Sequence, residues 1–305
     1  MPSVSIVVAT YNQAGFLADA VAGVRAQTFA DWELLIADDG STDETAAVAG
    51  RFRDDARIRY LPGPHAERAA ARNRGVAAST GDLVAFLDAD DLWRPEKLGR
   101  QVAALAAAPD AGACYTASRF VDGDGRPLPI RKPVRAIAGR LFPDLVRGNF
   151  VILASVVVRR ACLVALGGFD ATLPVYGCED WDLWLRLARR WPIVALDEEL
   201  TLYRRHGTNT RWQDVLASGL AVIDRLYADP AVAEEAGLSH AAARARHLWY
   251  HAAAVAAAER SAALPLVGRA LREDPRTLLS RPAAGALAAL GLPRAVERAL
   301  RSLPL

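Results

Sequence analysis

Residues 83–91 read Leu-Val-Ala-Phe-Leu-Asp-Ala-Asp-Asp, an apolar run that stops abruptly at three aspartates. A short apolar run of this kind is typical of a strand that is buried on both faces of a sheet. Ligands of open α/β sheets bind beyond the carboxyl ends of the strands, which is where the three aspartates stand. The stretch therefore predicts an α/β fold and directs the search for functional residues to the strand ends.

The first half of the chain alternates short β-branched runs with amphipathic helical spacing. Further strands are predicted at residues 4–9, 34–37 and 58–61, each followed by a helical stretch. This βαβ rhythm indicates a Rossmann-like, mostly parallel sheet with helices on both faces. Residues 151–158 predict a later strand, and the Ser-Thr-Asp-Glu spacing of a capping box at 41–44 predicts that a helix begins there.

The composition changes after about residue 212. Alanine accounts for 26 of the last 93 residues, and prolines interrupt the helical spacing there. We therefore expect an α/β domain at residues 1–212 and an α-helical domain at residues 213–305.

Composition and charge exclude several classes of protein. Hydrophobic residues make up 52% of the 305 residues, which is enough for a sizeable core and argues against disorder. The 37 basic and 35 acidic residues leave a net charge of +2, without the basic excess of a nucleic-acid binder. No signal peptide and no apolar run of roughly 18 residues is visible, so we expect a cytoplasmic protein without a transmembrane segment.

The cysteines and two of the histidines give little support for a structural metal site. Cys114, Cys162 and Cys178 lack Cys-x-x-Cys spacing, which argues against zinc and against a disulfide framework. His247 and His251 have an i, i+4 spacing that suits zinc, but no third ligand is evident. Packing histidines are the favoured interpretation.

Polar side chains follow three of the predicted strands. Neither a glycine-rich dinucleotide fingerprint nor a P-loop follows the first strand. Clustered carboxylates repel one another unless they share a cation, and their oxygens suit Mg²⁺ or Mn²⁺. A polar loop in which one aspartate caps the next helix is the alternative. The side chains concerned are Thr10, Tyr11 and Asn12 after the first strand, Asp39 after the second, and Asp88, Asp90 and Asp91 after the fourth.

The order of several short motifs resembles glycosyltransferase family 2. The similarity runs from about residue 3 to residue 212, and it implies a GT-A fold, a nucleotide-diphosphate-sugar donor, a divalent metal (Mn²⁺ or Mg²⁺) and inversion at the anomeric carbon. The motifs are, in chain order, residues 4–12, 27–29, 38–43, 71–73, 87–91 and 179–181.

The resemblance implies contacts to the nucleotide. Core packing is the alternative for Tyr11, and an ordinary turn is the alternative for Asp39. The nucleotide contacts are Thr10, Tyr11 and Asn12 in the turn after the first strand, with the Tyr11 ring on the base, then Asp39 toward the uracil imide, Arg72 and Asn73 near the diphosphate, and Asp88 toward the ribose.

The resemblance also implies residues that hold the metal. Asp90 matches the metal-binding carboxylate of the family, with Asp91 supporting it. His206 lies in a Tyr-Arg-Arg-His segment that resembles another family motif, and it would add a metal or diphosphate contact. A solvated loop histidine is the alternative.

At the acceptor end, Asp180 matches the general base of the family, with Glu179 and Trp181 supporting it. Helical spacing of apolar residues places Glu179 and Asp180 at the start of a helix. Capping of that helix, with a favourable interaction with its dipole, is the alternative role for both carboxylates.

We therefore expect a metal-dependent, inverting glycosyltransferase that moves a hexose from a UDP-sugar to a hydroxyl of a carbohydrate or lipid-linked acceptor, in cell-surface polysaccharide or glycolipid synthesis. A sugar-nucleotide nucleotidyltransferase is one alternative, although its glycine- and arginine-containing loop is absent after the first strand. A non-catalytic nucleotide-binding or scaffold module is the other. Peripheral contact with the inner face of the membrane and homo-oligomer formation stay open.

Overall fold

The chain forms two compact units. The structure is a computed structural model that describes residues 2–132, 139–173, 177–207, 210–256 and 259–291. The α/β unit comprises residues 1–141, 150–172 and 182–209, and the helical unit comprises residues 142–149, 173–181 and 210–305. Two short segments that precede residue 212 therefore group with the helical unit, so the two units are not divided by one cut in the chain.

The α/β unit is built on a nine-stranded sheet with helices between the strands. Its strands are β1 Val4–Thr10, β2 Trp32–Asp38, β3 Ile58–Pro62, β4 Leu83–Asp88, β5 Leu92–Trp93, β6 Ala113–Val121, β7 Pro127–Lys132, β8 Val156–Arg159 and β9 Ile193–Arg204. Its helices are α1 Ala14–Arg25, α2 Thr45–Gly50, α3 Glu67–Ala78, α4 Lys97–Ala107, α6 Arg160–Leu166 and most of α7 Glu179–Arg190.

The helical unit contains the other helices of the described residues. They are α5 Phe142–Val146, α8 Trp212–Leu226, α9 Val232–Ala236, α10 His240–Ala256, α11 Arg260–Glu273 and α12 Arg281–Ala289.

The sheet order is β3-β2-β1-β4-β8-β6-β9-β5, with β7 on the side of β6. The first four strands in this order are parallel, as the βαβ rhythm predicts. β8 runs antiparallel to both β4 and β6, and β6 runs parallel to β9. The α/β fold with a mostly parallel sheet and a helical C-terminal region is confirmed.

The register of the parallel strands determines which side chains meet. Thr10 at the end of β1 is paired with Asp38 at the end of β2, and Ala9 is paired with Asp88 at the end of β4. The carboxyl ends of three strands therefore form one edge, and the loops that follow them start side by side.

The core of the α/β unit forms where apolar faces of strands and helices meet. β1 is buried along its whole length, which explains its mainly apolar sequence. The predicted helical spacing after it is confirmed, because α1 buries its apolar residues against the sheet. They are Leu17, Ala20, Val21 and Val24.

Two local predictions for the α/β unit are wrong. The predicted strand at 151–158 begins as a 3-10 turn, since the Ser155 hydroxyl and amide both donate to the Ile152 carbonyl, and only Val156–Arg159 is a strand. The capping box at 41–44 does not form either. Helix α2 begins at Thr45 without a capping hydrogen bond from its N-cap residue, and the Ser41 oxygen, which a capping box would use as acceptor, accepts from the Asn12 amide instead.

The irregular stretch that follows residue 121 contains a strand that the sequence did not predict. β7 pairs antiparallel with β6 across a turn in which Asp122 and Arg126 exchange hydrogen bonds. Residues 133–138, which follow β7 in the sequence, lie outside the described residues.

The helical unit is organised around α10, which packs against α8, α11 and α12. Trp249 lies at the centre of this core, and its indole N–H donates to the Thr277 hydroxyl at 3.0 Å. Ser280 accepts from the Ala283 amide and caps α12. Alanine at seven of the sixteen buried core positions lets these helices pack closely, in keeping with the alanine-rich composition of this region.

Two expectations about the whole chain can be compared with the described residues. Across these residues, every helix is too short or too polar to cross a bilayer. Cys114, Cys162 and Cys178 are buried and form no disulfide, as expected.

Candidate functional site

The turns after β1 and β2 are locked to each other. The Asp39 amide donates to the Thr10 carbonyl at 2.9 Å, and the Asn12 amide donates to the Ser41 hydroxyl at 2.9 Å. The Asn12 side-chain oxygen accepts from the Thr42 amide at 2.8 Å, and Asn12 itself has a φ of +50°. Asn12 therefore braces the two turns.

Asp39 and Tyr11 lie together at this edge, with His65 between them. Asp39 is only 2% exposed, and its carboxylate accepts from His65 Nδ1 at 2.8 Å and from the Ala66 amide at 2.9 Å. Tyr11 is 43% exposed, and its ring stacks on the His65 imidazole with 4.2 Å between the centroids and 16° between the planes. An exposed aromatic face beside a buried carboxylate is suited to a planar heterocycle with an N–H group.

Desolvation lowers the pKa of His65, but the hydrogen bond and charge of Asp39, with the charge of Glu67, outweigh it and raise the pKa above its ordinary 6.5. The sequence analysis missed His65. Its only signal was its position just beyond the third predicted strand, where the same edge of the sheet continues.

Arg72 and Asp88 form an ion pair at the end of β4, in which Arg72 is buried and Asp88 is partly exposed. Arg72 is 4% exposed, and its Nη2 lies 2.8 Å from Asp88 Oδ1. The neighbouring Asn73 has a different position. Its amide N–H donates to the Phe169 carbonyl and its oxygen accepts from the Phe169 amide, both at 2.8 Å. Asn73 thus holds the loop of residues 167–170, which read Gly-Gly-Phe-Asp.

The acidic loop after β4 contacts the segment that follows β9. Asp90 Oδ2 lies 2.9 Å from Nε2 of His206, whose ring packs on Phe16 at 4.6 Å between centroids. Burial raises the pKa of Asp90, the charge of Asp88 raises it further, and the His206 contact opposes both. The structure therefore brings Asp90 and His206 together, although they are more than one hundred residues apart in sequence.

Asp91 is the most buried carboxylate of the loop, at 1% exposure. Its Oδ1 accepts from the Arg204 amide at 2.9 Å, and its Oδ2 has no hydrogen-bond partner in the part of the chain that the structure describes. Burial and the charges of Asp90 and Asp88 raise the pKa of Asp91 well above its ordinary range.

The donor set of this loop fits a divalent cation of the magnesium or manganese type. The described ranges contain no group of three or more His, Cys, Asp or Glu side chains that could enclose a metal. Mg²⁺ and Mn²⁺ commonly bind to one or two protein ligands and complete their shell with water and substrate phosphates. Asp90 with His206 offers such a partial set, next to a carboxylate oxygen of Asp91 that lacks a partner.

The predicted acceptor residues lie in the helical unit, at the start of α7. Asp180 accepts from the Trp181 amide at 2.7 Å, and its other oxygen lies 3.4 Å from the Asn149 side-chain nitrogen. Glu179 is buried and accepts from the Gly177 amide at 3.0 Å. Both carboxylates therefore bind main-chain amides at the helix start, a geometry compatible with the capping alternative.

Trp181 anchors this turn in the core of the helical unit. Its indole N–H donates to the Leu145 carbonyl at 2.9 Å, and its ring stacks on His247 with 5.4 Å between centroids. His247 and His251 are buried and meet edge to face with 4.6 Å between centroids, which is the packing that the favoured interpretation predicts. Burial, with the neighbouring His251 as a smaller cause, lowers the pKa of His247 to about 3.

The candidate residues are thus divided between the two units. The α/β unit holds Thr10, Tyr11, Asn12, Asp39, Arg72, Asn73, Asp88, Asp90, Asp91 and His206, and the helical unit holds Glu179, Asp180 and Trp181.

Comparison with known proteins gives the family. Residues 5–155 match the family described as glycosyl transferase family 2. An uncharacterized glycosyltransferase of Nostoc is 32% identical over 222 residues, which cover 68% of this chain and 66% of the relative. A UDP-Glc:alpha-D-GlcNAc-diphosphoundecaprenol beta-1,3-glucosyltransferase of Escherichia coli, WfgD, is 39% identical over 103 residues, 33% of this chain and 40% of the relative.

Solved structures share the fold. A mannosyltransferase of Pyrobaculum calidifontis, solved in complex with GDP-Man and Mn²⁺, superimposes with a TM-score of 0.60 at 19% identity, over 99% of this chain and 88% of the other. This similarity concerns the fold. The chain spans about two thirds of the Nostoc relative's length and less of WfgD. Together, the family match at residues 5–155 and the Nostoc relative show that the chain belongs to glycosyltransferase family 2.

Proposed function

We propose that this protein is a metal-dependent, inverting glycosyltransferase that uses a UDP-sugar as donor. The observation that carries the proposal is the register of the parallel strands, which starts the loops of Tyr11, Asp39 and Asp88 side by side at one edge of the sheet. An aromatic ring, a buried carboxylate and an acidic loop are the groups that a base, its imide and a diphosphate would use.

In the proposed donor site, the base lies on the Tyr11 ring and donates its imide N–H to Asp39. Asp88 receives the ribose hydroxyls, and Arg72, which already lies 2.8 Å from Asp88, brings a positive charge toward the phosphates. UDP is the first candidate nucleotide because the name of WfgD specifies UDP-Glc.

For the diphosphate, the residues that would hold a divalent cation are Asp90 and His206, with Asp91 beside them. Mn²⁺ or Mg²⁺, when bound, supplies positive charge to the departing nucleoside diphosphate. The partial donor set of Asp90 and His206 supports this assignment, and so does the Mn²⁺ complex of the Pyrobaculum mannosyltransferase.

Asp180 is the proposed general base. An inverting displacement needs one carboxylate that takes the proton from the attacking hydroxyl, while the nucleotide leaves from the opposite face of the sugar. Base catalysis of this kind accelerates a reaction by roughly 10²- to 10⁴-fold. In this role the Trp181 amide and Asn149 orient the Asp180 carboxylate, and Glu179 fixes the preceding turn through the Gly177 amide.

The proposed acceptor is a sugar hydroxyl in a cell-surface polysaccharide or in a lipid-linked precursor. The name of WfgD, which specifies a diphosphoundecaprenol-linked sugar, supports this class.

The test is transfer by the purified protein with Mn²⁺, a panel of UDP-, GDP- and dTDP-sugars and lipid-linked acceptors. We expect acceptor-dependent release of nucleoside diphosphate, and its loss by at least 10²-fold in Asp90→Asn and Asp180→Asn. Asp124→Asn is the matched control, since Asp124 is exposed on the turn between β6 and β7. Full activity in either site variant contradicts the role assigned to that residue.

The same assay separates the two alternatives. Pyrophosphate among the products would indicate a nucleotidyltransferase, and nucleotide binding without turnover on any acceptor would indicate a binding module.

A further inference from the structure

The His65 imidazole contacts both groups that the proposed function assigns to binding of the donor base, the Tyr11 ring and the Asp39 carboxylate. It stacks on the Tyr11 ring, and its Nδ1–H donates to Asp39. The second Asp39 oxygen accepts from the Ala66 amide, and the residue is almost fully buried. A base edge therefore cannot reach this carboxylate, nor this face of Tyr11, while His65 stays in place.

The backbone around His65 is unusual. Glu67 has a φ of +71°, which is uncommon for a residue other than glycine and indicates local strain. Gly40 has a φ of +78°, and a Cβ there would lie 2.7 Å from the His65 amide nitrogen. The turn after β2 and the loop after β3 thus fit together closely, whereas the His65 side chain itself is 45% exposed.

We propose that His65 is a gate over the donor-base site, which occupies the Tyr11 ring and the Asp39 carboxylate until a nucleobase displaces it. The proposal rests on the donor site assigned under the proposed function. Because nearly half of the imidazole faces solvent, the side chain can rotate outward without opening the core.

The charges around the gate make it sensitive to pH. The groups that face the imidazole are Asp39 from the turn after β2, Glu67 from the start of α3, and the Tyr11 ring from the turn after β1. An imidazolium binds a carboxylate more strongly than a neutral imidazole does. Protonation of His65 therefore closes the gate more firmly, and nucleotide affinity falls as the pH falls.

The experiment measures the dissociation constant of UDP in the presence of Mn²⁺ by calorimetry, at pH 8 and pH 6. His65→Ala is expected to bind UDP about fivefold to tenfold more tightly than wild type at pH 6, since both the stack and the hydrogen bond are removed. His65→Phe, which keeps a stacking ring but lacks Nδ1, is expected to fall between the two. The loss of affinity from pH 8 to pH 6 is expected to be smaller in His65→Ala than in wild type.

A matched control exists in the helical unit. His240 stacks on Tyr227 with 26° between the planes and lies 2.7 Å from Asp224, so His240→Ala removes the same arrangement elsewhere. Its UDP affinity is expected to equal that of wild type.

Unchanged or weaker UDP binding by His65→Ala, with measurable binding by wild type, overturns the gate and leaves the proposed function standing. The absence of binding of UDP, GDP and dTDP to wild type and to His65→Ala alike overturns the proposed function, and the gate with it.

Discussion

Lys97 is the buried charge whose removal tests the electrostatics of the α/β core. Its side chain is fully buried at the start of α4, with Nζ 2.6 Å from Gln101 Oε1 and 4.1 Å from the centroid of the Trp93 ring. Burial is the largest influence on its pKa, and the charge interaction with Cys114 opposes it. Burial lowers the pKa of Lys97 from 10.5 to about 7, since the ammonium loses its hydration and gains little in return.

The sign of the resulting pH dependence follows from proton binding. Between pH 7 and 10.5 the unfolded chain holds the Lys97 proton and the folded chain releases it, so the free energy of unfolding rises with pH in this window. With these two pKa values, linkage gives a gain of about 2 kcal/mol from pH 7 to pH 9. Below pH 7 both states are protonated and the contribution becomes constant.

Lys97→Met keeps most of the volume of the side chain and removes the titrating group. We expect the variant to be more stable than wild type at pH 7, with an advantage that shrinks by about 2 kcal/mol at pH 9. The measurement is urea unfolding followed by circular dichroism at pH 7, 8 and 9. Arg100→Met is the control, because Arg100 lies exposed on the same helix. An advantage of Lys97→Met that stays constant from pH 7 to pH 9 would refute the reasoning.

Two further predictions concern packing. Gly219→Ala is expected to destabilise the helical unit by about 1–3 kcal/mol in thermal unfolding, because the new Cβ would lie 2.2 Å from His247 Nε2. Gly268→Ala is the control and is expected to be neutral or stabilising, because its Cβ would meet only the Arg272 side chain, at 3.5 Å. Equal effects of the two variants on stability would contradict the prediction. Asn73→Ala is expected to lower the stability of the α/β unit by about 1–3 kcal/mol, since it leaves the Phe169 amide and carbonyl without partners, and denaturant unfolding that matches wild type would exclude this role.

The sequence predicted the elements that depend on continuous local patterns. β1 and β4 are mainly apolar runs that end in polar residues, so both the strands and the edge they form could be inferred. The run at 151–158 is equally apolar, and its first half is a turn only because Ser155 binds back to Ile152. An apolar run predicts burial more reliably than it predicts the conformation of the backbone.

The features that the sequence did not predict depend on contacts between distant residues. The capping function expected of Ser41 is absent because its oxygen accepts from the amide of Asn12, which follows the neighbouring strand β1. The position of His65 depends on how the loop after β3 packs on the turn after β2, and the path of a loop cannot be predicted from the spacing of apolar residues. Segments 142–149 and 173–181 group with the helical unit for the same reason.

The stack of Trp181 on His247 links core packing to the position of the neighbouring carboxylate. Asp180 precedes Trp181 directly on α7, so the position of the Asp180 carboxylate depends on how firmly the Trp181 indole is held by its stack on His247. With Asp180 as the proposed general base, substitutions at Leu145 or His247 are therefore expected to alter turnover by displacing that carboxylate, without contact with any sugar. Some substitutions in this helical core are accordingly expected to leave the fold stable and still lower the activity.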